Sequence, residues 1–330
     1  MKNFIKIAVV LIFCACFFSV IILTKAQSAE NSVRFAQISD IHLHDSAANR
    51  GNRMLAHSAE LFKDAVEQIN EQGNVDFVVF TGDMIDVPSV KLLKQFISIA
   101  DNLKPQWFWT TGNHDIGGVV RPAGVLKLLN ERKPSSASNG ITKTYYSFKV
   151  KNFVFLCMDG VMTNKITANG LFSAEQLRWL EAQLKANKDS YVVIFQHYPL
   201  VEPFQSKTHY VMNAQQYLNI LDKHNNVVAV ISGHYHAAKI KMRNNVAHIS
   251  SPSLIQYPNA FRIFTLKAVN DEVTLKYEFF STRLEEVRAK SAELINSPRL
   301  HVGYEADRNG TITLHKPLGK PNRTRIIQTR

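Results

Sequence analysis

The chain has 330 residues, of which 45% are hydrophobic and 20% charged, with 14 Gly, 11 Pro and three Cys. This composition excludes collagen-like, low-complexity, disordered and disulfide-rich proteins. A chain of this length can form one large domain or two small ones. Its formal net charge of +12 favours anionic substrates or surfaces and says nothing about the fold.

Residues 1–29 have the pattern of an export signal. Two lysines precede an apolar run over residues 7–23, and small residues follow at Ala26 and Ser28. A basic start, an apolar centre and an A-x-S site predict a secretory signal peptide. An uncleaved anchor is the alternative, because about 17 apolar residues is the lower limit for spanning a bilayer. Either segment predicts an extracytoplasmic protein: periplasmic, secreted or anchored and facing outward.

Short apolar strands then alternate with amphipathic helices. Strands are predicted at residues 33–38, 75–80, 107–109, 191–195 and 227–231, and helices at 58–72, 90–103, 173–186 and 213–224. Ser173 and Asn213 each stand three residues before a glutamine, a spacing that predicts helix N-caps. Further strands are predicted at residues 145–150, 153–158, 239–242, 246–250, 261–267 and 273–279. This order of elements predicts an α/β protein with two sheets and flanking helices.

Polar residues follow each of the first five predicted strands. In open α/β sheets the ligand crevice lies at the carboxyl ends of the strands, so these five ends are expected to converge on one site. In chain order they carry Asp40-Ile41-His42, Gly82-Asp83-Met84-Ile85-Asp86, Gly112-Asn113-His114-Asp115, His197 and Gly233-His234-Tyr235-His236.

These residue types suit a dinuclear metal centre. Carboxylates, amide oxygens and neutral imidazoles bind borderline divalent metals such as Mn, Fe or Zn, whereas thiolates select softer ions. Two ions about 3.5–4 Å apart can clamp the attacking and leaving oxygens of an in-line displacement at phosphorus. Glycines precede Asp83, Asn113 and His234, and they fit sharp turns that bring the backbone close to such a site.

The five motifs together resemble the calcineurin-like metallophosphoesterase superfamily, whose pattern is D-x-H, G-D-x-x-D, G-N-H-D/E, H and G-H-x-H. All five occur in order from Asp40 to His236. Residues 145–148, 153–156, 172–180 and 196–200 also look like the bacterial class III cyclic-nucleotide phosphodiesterase branch. The resemblance implies a four-layer α/β/β/α sandwich, with two mixed sheets flanked by helices, as one domain over residues 30–280. Residues 281–330 are then a C-terminal extension with a basic tail.

The resemblance also implies two divalent metal ions and assigns their ligands. The first ion is expected to bind Asp40, His42, Asp83 and His236. The second is expected to bind Asp83 as a bridge, with Asn113, His197 and His234.

The same resemblance assigns the chemistry of hydrolysis. A metal-bridging hydroxide, its pKa lowered by the ions, is expected to attack phosphorus in line. His114 is the expected general acid for the leaving oxygen, and Asp115 is expected to orient it. Asp86 is expected to support the turn and the ligand His42 without binding metal itself.

Residues outside the motifs carry simpler expectations. His44 is a candidate for substrate contact, because its loop follows the first motif. Residues 117–142 form either a lid over the site or a solvated helix and loop. The basic tail, which includes Lys316, is expected to be solvated. Six other histidines are predicted to be ordinary surface or packing residues, namely His57, His209, His224, His248, His301 and His315.

The sequence therefore predicts an exported phosphodiesterase that acts on a small phosphodiester. A phosphomonoesterase or a nuclease is the alternative. A non-enzymatic metal-binding scaffold is least favoured, because it has no use for the proton donor His114. Nucleic-acid binding is not favoured, membrane contact is expected only through an uncleaved N-terminal segment, and the oligomeric state stays open.

Overall fold

The computed structural model describes residues 31–117, 120–130, 141–165 and 167–318. The predicted export segment and the part of the basic tail beyond residue 318 lie outside these residues, as do Arg132 and Lys133 of the candidate lid. Among the helices in the described ranges, none has the length and apolar character needed to cross a membrane.

The first of two sheets combines parallel and antiparallel pairing. Its strands are β1 (Ser32–Ile38), β2 (Phe77–Thr81), β3 (Gln106–Thr110), β10 (Ala260–Val269), β11 (Glu272–Ser281) and β12 (Gly310–His315). They lie in the order β12-β11-β10-β1-β2-β3. Strands β1 to β3 run parallel, whereas β10 to β12 add in antiparallel fashion. The polar ends of β1, β2 and β3 therefore share one edge.

The second sheet has the same mixed character. Its strands are β4 (Tyr146–Val150), β5 (Phe153–Cys157), β6 (Tyr191–Phe195), β7 (Val227–Ser232), β8 (Lys239–Arg243) and β9 (Val246–Ser250). They lie in the order β4-β5-β6-β7-β9-β8. The inner strands run parallel, and the two edge strands β4 and β8 pair antiparallel. The ends of β6 and β7 carry His197 and the last motif to one edge.

The helices cover the outer faces of the sheets. They are α1 (Ser58–Gln72), α2 (Val90–Ala100), α3 (Pro122–Asn130), α4 (Ala174–Ala186), α5 (Ala214–Leu221), α6 (Glu285–Glu293), α7 (Pro298–Val302) and α8 (Glu305–Arg308). Phe62 of α1 packs on Phe80 of β2, with ring centroids 5.6 Å apart. Leu180 of α4 and Leu218 of α5 belong to the apolar cluster on the second sheet.

Phenylalanines fill the space between the two sheets. The ring centroids of Phe77 and Phe155 are 4.8 Å apart, and those of Phe35 and Phe195 are 5.5 Å apart. All four side chains are buried, and each contributes roughly 1.5–3 kcal/mol of hydrophobic stabilisation. Helix, sheet, sheet and helix thus stack in that order, which confirms the predicted four-layer sandwich.

One of the two predicted helix caps is correct. Ser173 Oγ accepts a hydrogen bond of 3.1 Å from the backbone N–H of Gln176, at the start of α4. Asn213 makes no such bond to α5. Its Oδ1 accepts instead from the N–H of Phe172 at 3.2 Å. The prediction for Asn213 was wrong because a contact distant in sequence takes the oxygen that a cap would use.

The C-terminal extension joins the first sheet through β12. Just beyond this strand, Lys316 is fully buried, contrary to the expectation of a solvated tail. Its Nζ has no hydrogen-bond partner within the described ranges. Burial removes water from the ammonium group and lowers the pKa of Lys316 from 10.5 to about 8.

Lys316→Met is expected to stabilise the protein at pH 7 by about 2–3 kcal/mol, since it removes a buried charge. Between pH 8 and pH 10.5 the unfolded state binds more protons than the folded state. The titration of Lys316 therefore raises the free energy of unfolding of the unmodified protein with pH over this window. The variant lacks this contribution. Urea unfolding at pH 7 and pH 10 measures both effects, with the exposed Lys149→Met as the control. Equal urea midpoints for the unmodified protein and Lys316→Met at both pH values would contradict the expectation.

Candidate metal centre

The strand ends converge as predicted, and they bring three groups of possible metal ligands together. Within each group the candidate ligand atoms lie no more than 4.8 Å apart. The groups are Asp40 with His42 and His236, His42 with Asp83 and His114, and Asp83 with His197 and His234. Since His42 and Asp83 each belong to two groups, the three form one continuous cluster.

The backbone of this cluster is strained. Five of the predicted ligands have φ values from 45° to 72°, namely Asp40, His42, Asp83, His234 and His236. Non-glycine residues avoid this region, and they persist in it where the surrounding structure holds them for function. A Cβ on Gly112 would lie 2.2 Å from Asp83 Oδ1, and one on Gly233 would lie 1.8 Å from Ser39 Oγ. Only glycine therefore fits at these two turns.

At the first metal position, two imidazole nitrogens face each other. His42 Nδ1 lies 3.1 Å from the Asp86 carboxylate, and His236 Nδ1 lies 3.1 Å from Gln256 Oε1. These contacts fix both rings through Nδ1. The two Nε2 atoms, 3.3 Å apart, are the ring nitrogens left to bind a cation.

The second position repeats the arrangement. His197 Nδ1 lies 2.8 Å from the Thr81 carbonyl oxygen, and His234 Nε2 lies 2.7 Å from that of Ala168. The remaining ring nitrogens of the two histidines face each other at 2.9 Å. Asn113 Oδ1 is buried and has no hydrogen-bond partner among the described residues, as expected of an oxygen reserved for a metal.

Asp83 lies between the two positions. Its Oδ2 is 3.5 Å from His42 Nε2 and 3.3 Å from His197 Nε2. Its Oδ1 accepts the N–H of His114 at 2.9 Å. One carboxylate therefore faces both groups of imidazoles, so the donor set fits two divalent metals with Asp83 between them.

The electrostatics of the cluster favour a bound cation. Burial is the largest single influence and by itself would lower the pKa of His197. The Asp83 and Asp40 carboxylates, together with hydrogen bonds to the ring, outweigh burial and raise that pKa to about 9. Burial would likewise raise the pKa of Asp40, but His236 holds it at about 2. The carboxylates thus keep their negative charge and attract positive charge.

His114 and Asp115 differ from their expected arrangement. His114 Nδ1 donates to the backbone oxygen of Asp86 at 2.6 Å. Asp115 Oδ1 accepts the N–H of Ile85 at 3.2 Å, and its Oδ2 accepts that of Gly112 at 2.8 Å. The carboxylate of Asp115 therefore does not orient His114, contrary to expectation. The backbone oxygen of Asp86 orients the ring, and Asp115 connects the loops of the second and third motifs.

Asp86 supports His42 as expected, through the 3.1 Å contact to Nδ1. It also forms an ion pair with Arg53, a residue that no motif indicated. His44, the candidate for substrate contact, hydrogen-bonds through its N–H to Ser58 Oγ at 3.0 Å. Arg53, and not His44, is among the residues that line the cavities at the site.

Two histidines expected to be ordinary lie at the site. The ring centroid of His209 is 4.9 Å from that of His234. His301 Nδ1 donates to the backbone oxygen of His236 at 2.8 Å and lies 3.2 Å from Gln256 Nε2. His301 belongs to the C-terminal extension and stands in no motif, so no sequence pattern connected it with His236.

Gln256 is expected to strengthen metal binding through His236. We expect Gln256→Ala to weaken binding of one metal about 10- to 100-fold, since a ligand loses the partner that orients it. Titration of the metal-free chain against a chromophoric chelator measures this without reference to activity. The exposed Gln215→Ala is the control. An affinity for both ions equal to that of the unmodified chain would contradict a positioning role for Gln256.

Two adjoining cavities open onto the cluster. The first has a volume of about 360 Å³, and Phe204, His209 and Tyr235 line it together with the ligands. The second has a volume of about 780 Å³. Arg53, Asn113 and His114 line both cavities. His114 therefore stands where the two spaces meet.

Comparisons with known proteins agree with this geometry. A family model described as calcineurin-like phosphoesterase matches residues 33–238. A 3',5'-cyclic-nucleotide phosphodiesterase of Nostoc sp. is 25% identical over 227 residues, covering 67% of this chain and 78% of that protein. A 3',5'-cyclic adenosine monophosphate phosphodiesterase of Vibrio vulnificus is 24% identical over 73% of this chain and 84% of that protein.

The fold also matches a solved structure. A dimetal phosphatase from Danio rerio superimposes with a TM-score of 0.61 at 21% sequence identity. The match covers 76% of this chain and 99% of that one.

Proposed function

The chain belongs to the calcineurin-like phosphoesterase family, and on that premise we propose that it is an exported phosphodiesterase with His114 as general acid. It is a phosphoesterase of the kind that uses two divalent metals. The relatives named as cyclic-nucleotide phosphodiesterases support a preference for diesters. The substrate is a small phosphodiester.

The chain's own residues prepare the site for in-line displacement at phosphorus. Asp40, His42, Asp83 and His236 would hold one metal, and Asp83, Asn113, His197 and His234 would hold the other. When bound, the two cations activate water and neutralise charge on the phosphoryl group. Asp83 also fixes the G-N-H loop, because its carboxylate accepts the N–H of His114.

The position of His114 carries the proposal. Its Nδ1 proton is committed to the Asp86 carbonyl oxygen, so Nε2 is the ring nitrogen available to exchange a proton with the leaving oxygen. The side chain lines the junction of the two cavities. A general acid must reach the leaving oxygen, and a substrate that spans both cavities brings its phosphorus next to this ring.

Initial rates on two substrates test the proposal. The full chain, loaded with Mn²⁺, is assayed on bis-p-nitrophenyl phosphate and on p-nitrophenyl phosphate. We expect a higher kcat/KM for the diester. A preference for the monoester would make the protein a phosphatase, and cleavage of single-stranded DNA or RNA in place of either ester would make it a nuclease.

Export is proposed from the N-terminal pattern alone. N-terminal sequencing of the protein from a bacterial host separates the two forms of the proposal. A chain that begins after Ser28 indicates a cleaved signal peptide, whereas an intact chain in the membrane fraction indicates an anchor. An intact chain in the cytoplasm would overturn both.

A further inference from the structure

The second cavity has a lining unlike that of the metal centre. We propose that it binds the leaving group of the substrate and selects leaving groups that carry a phosphate or carboxylate of their own. This inference rests on the proposed phosphodiesterase function, and it adds a substrate class to it.

The location of the cavity assigns it to the leaving group. A general acid protonates the leaving oxygen, so the leaving group extends away from His114. Two spaces begin at this side chain. The first contains the ligands His42, Asp83, His234 and His236, whereas the second contains Asn113 as its single predicted ligand. The second space, at about 780 Å³, lies in the usual size range for binding a small molecule.

The charge of the cavity lining favours an anionic leaving group. Arg50, Arg53, Arg121 and Lys165 line the cavity, and Asp86 is the one acidic residue among its described lining. Asp86 is buried and already paired with Arg53 and His42. Arg50, Arg121 and Lys165 form no ion pair with a carboxylate in the described ranges. These three exposed cations therefore have no carboxylate partner among the described residues, and an anion in this space would complement them.

Backbone hydrogen bonds fix the main chain next to the arginines of this cavity. The backbone N–H groups of Arg50 and Arg53 each donate to the other residue's oxygen, at 3.2 Å and 3.0 Å. Gly51, with a φ of 58°, permits the turn between them. Arg121 follows a similar pair, in which Gly117 and Val120 exchange bonds of 2.9 Å and 2.8 Å.

Apolar side chains complete the lining. Val87, Pro88, Ile116, Val161 and Met162 face the same space. The cavity therefore suits a leaving group with an apolar body and an anionic end. The phosphate that is hydrolysed lies at the metal centre and does not reach Arg50, Arg121 and Lys165. A leaving group without a charge of its own therefore forms no ion pair with these three cations.

Two esters that differ by one carboxylate test the inference. In methyl 4-nitrophenyl phosphate the aryl group carries no charge before cleavage (the neutral ester), whereas in methyl 3-carboxy-4-nitrophenyl phosphate it carries a carboxylate (the charged ester). With the full chain and Mn²⁺, we expect the charged ester to have the higher kcat/KM at low salt, and this preference to fall as ionic strength rises. Arg50→Gln and Arg121→Gln should each lower kcat/KM for the charged ester roughly two- to fivefold, and lower it less for the neutral ester.

Lys149→Gln is the matched control for loss of one positive charge. Lys149 is exposed and pairs with Val154, near the end of β5 remote from the site. It should leave both esters unchanged. Equal kcat/KM values for the two esters, or equal losses of kcat/KM on both esters in the arginine variants, would overturn the inference. The proposed phosphodiesterase function would stand in either case. A chain that hydrolyses neither ester would overturn both.

Discussion

His114→Ala is expected to reduce kcat about 10²–10⁴-fold, as loss of a general acid does, while the metal content stays unchanged. The backbone N–H that donates to Asp83 remains in the variant, so the metal ligands keep their positions. The loss should be larger for alkyl diesters than for nitrophenyl diesters, because nitrophenolate leaves without a proton. Steady-state rates on both classes of ester, with metal analysis of the same samples, measure this.

The control for His114→Ala is His57→Ala, which removes an exposed imidazole paired with Glu60. It should leave rates and metal content unchanged. His114 also lies within ligand distance of His42 and Asp83. A variant that loses metal would therefore make His114 a ligand, and a variant with the same rates on both classes of ester would exclude it from the mechanism.

Asp83→Asn should have the largest effect on metal content, reducing it from two ions to at most one. Asp83 Oδ2 lies within 3.5 Å of an imidazole nitrogen in both groups. Its replacement removes a charge without changing the volume of the side chain. Loss of several kcal/mol of charge stabilisation should lower kcat by more than about 10³-fold. Metal analysis after gel filtration, together with rates on bis-p-nitrophenyl phosphate, tests both expectations.

Thermal unfolding gives an independent measurement on the same variant. Metal that binds only the folded state raises Tm, so Mn²⁺ should raise the Tm of the unmodified chain more than that of Asp83→Asn. Asp189→Asn, at an exposed position, should respond to Mn²⁺ like the unmodified chain. Two ions retained in Asp83→Asn, with an unchanged response of Tm, would show that Asp83 does not bridge the metals.

Local patterns in the sequence were enough to predict two sheets, the flanking helices and the polar strand ends, whereas the four-layer arrangement followed from the family resemblance. Short apolar runs predict the strands, and helical periodicity predicts α1 and α4, because neighbours in the chain determine both features. The convergence of the motifs also followed from local information, since the ends of parallel strands share an edge. Asn213 shows the limit of such patterns, because its oxygen has two possible donors and only the fold decides which one is near.

The side chains that support the predicted metal ligands depend on contacts that no local pattern encodes. Gln256 and His301 reach His236 from later parts of the chain, and Arg53 reaches Asp86 from an irregular loop. Asp115 stands next to His114 in sequence, yet its carboxylate faces two backbone amides. Chain order and strand ends, together with the family resemblance, were enough to predict which residues would form a metal centre. The atoms that orient those residues emerged only in the folded chain, because hydrogen bonds depend on distances and angles between segments far apart in the chain.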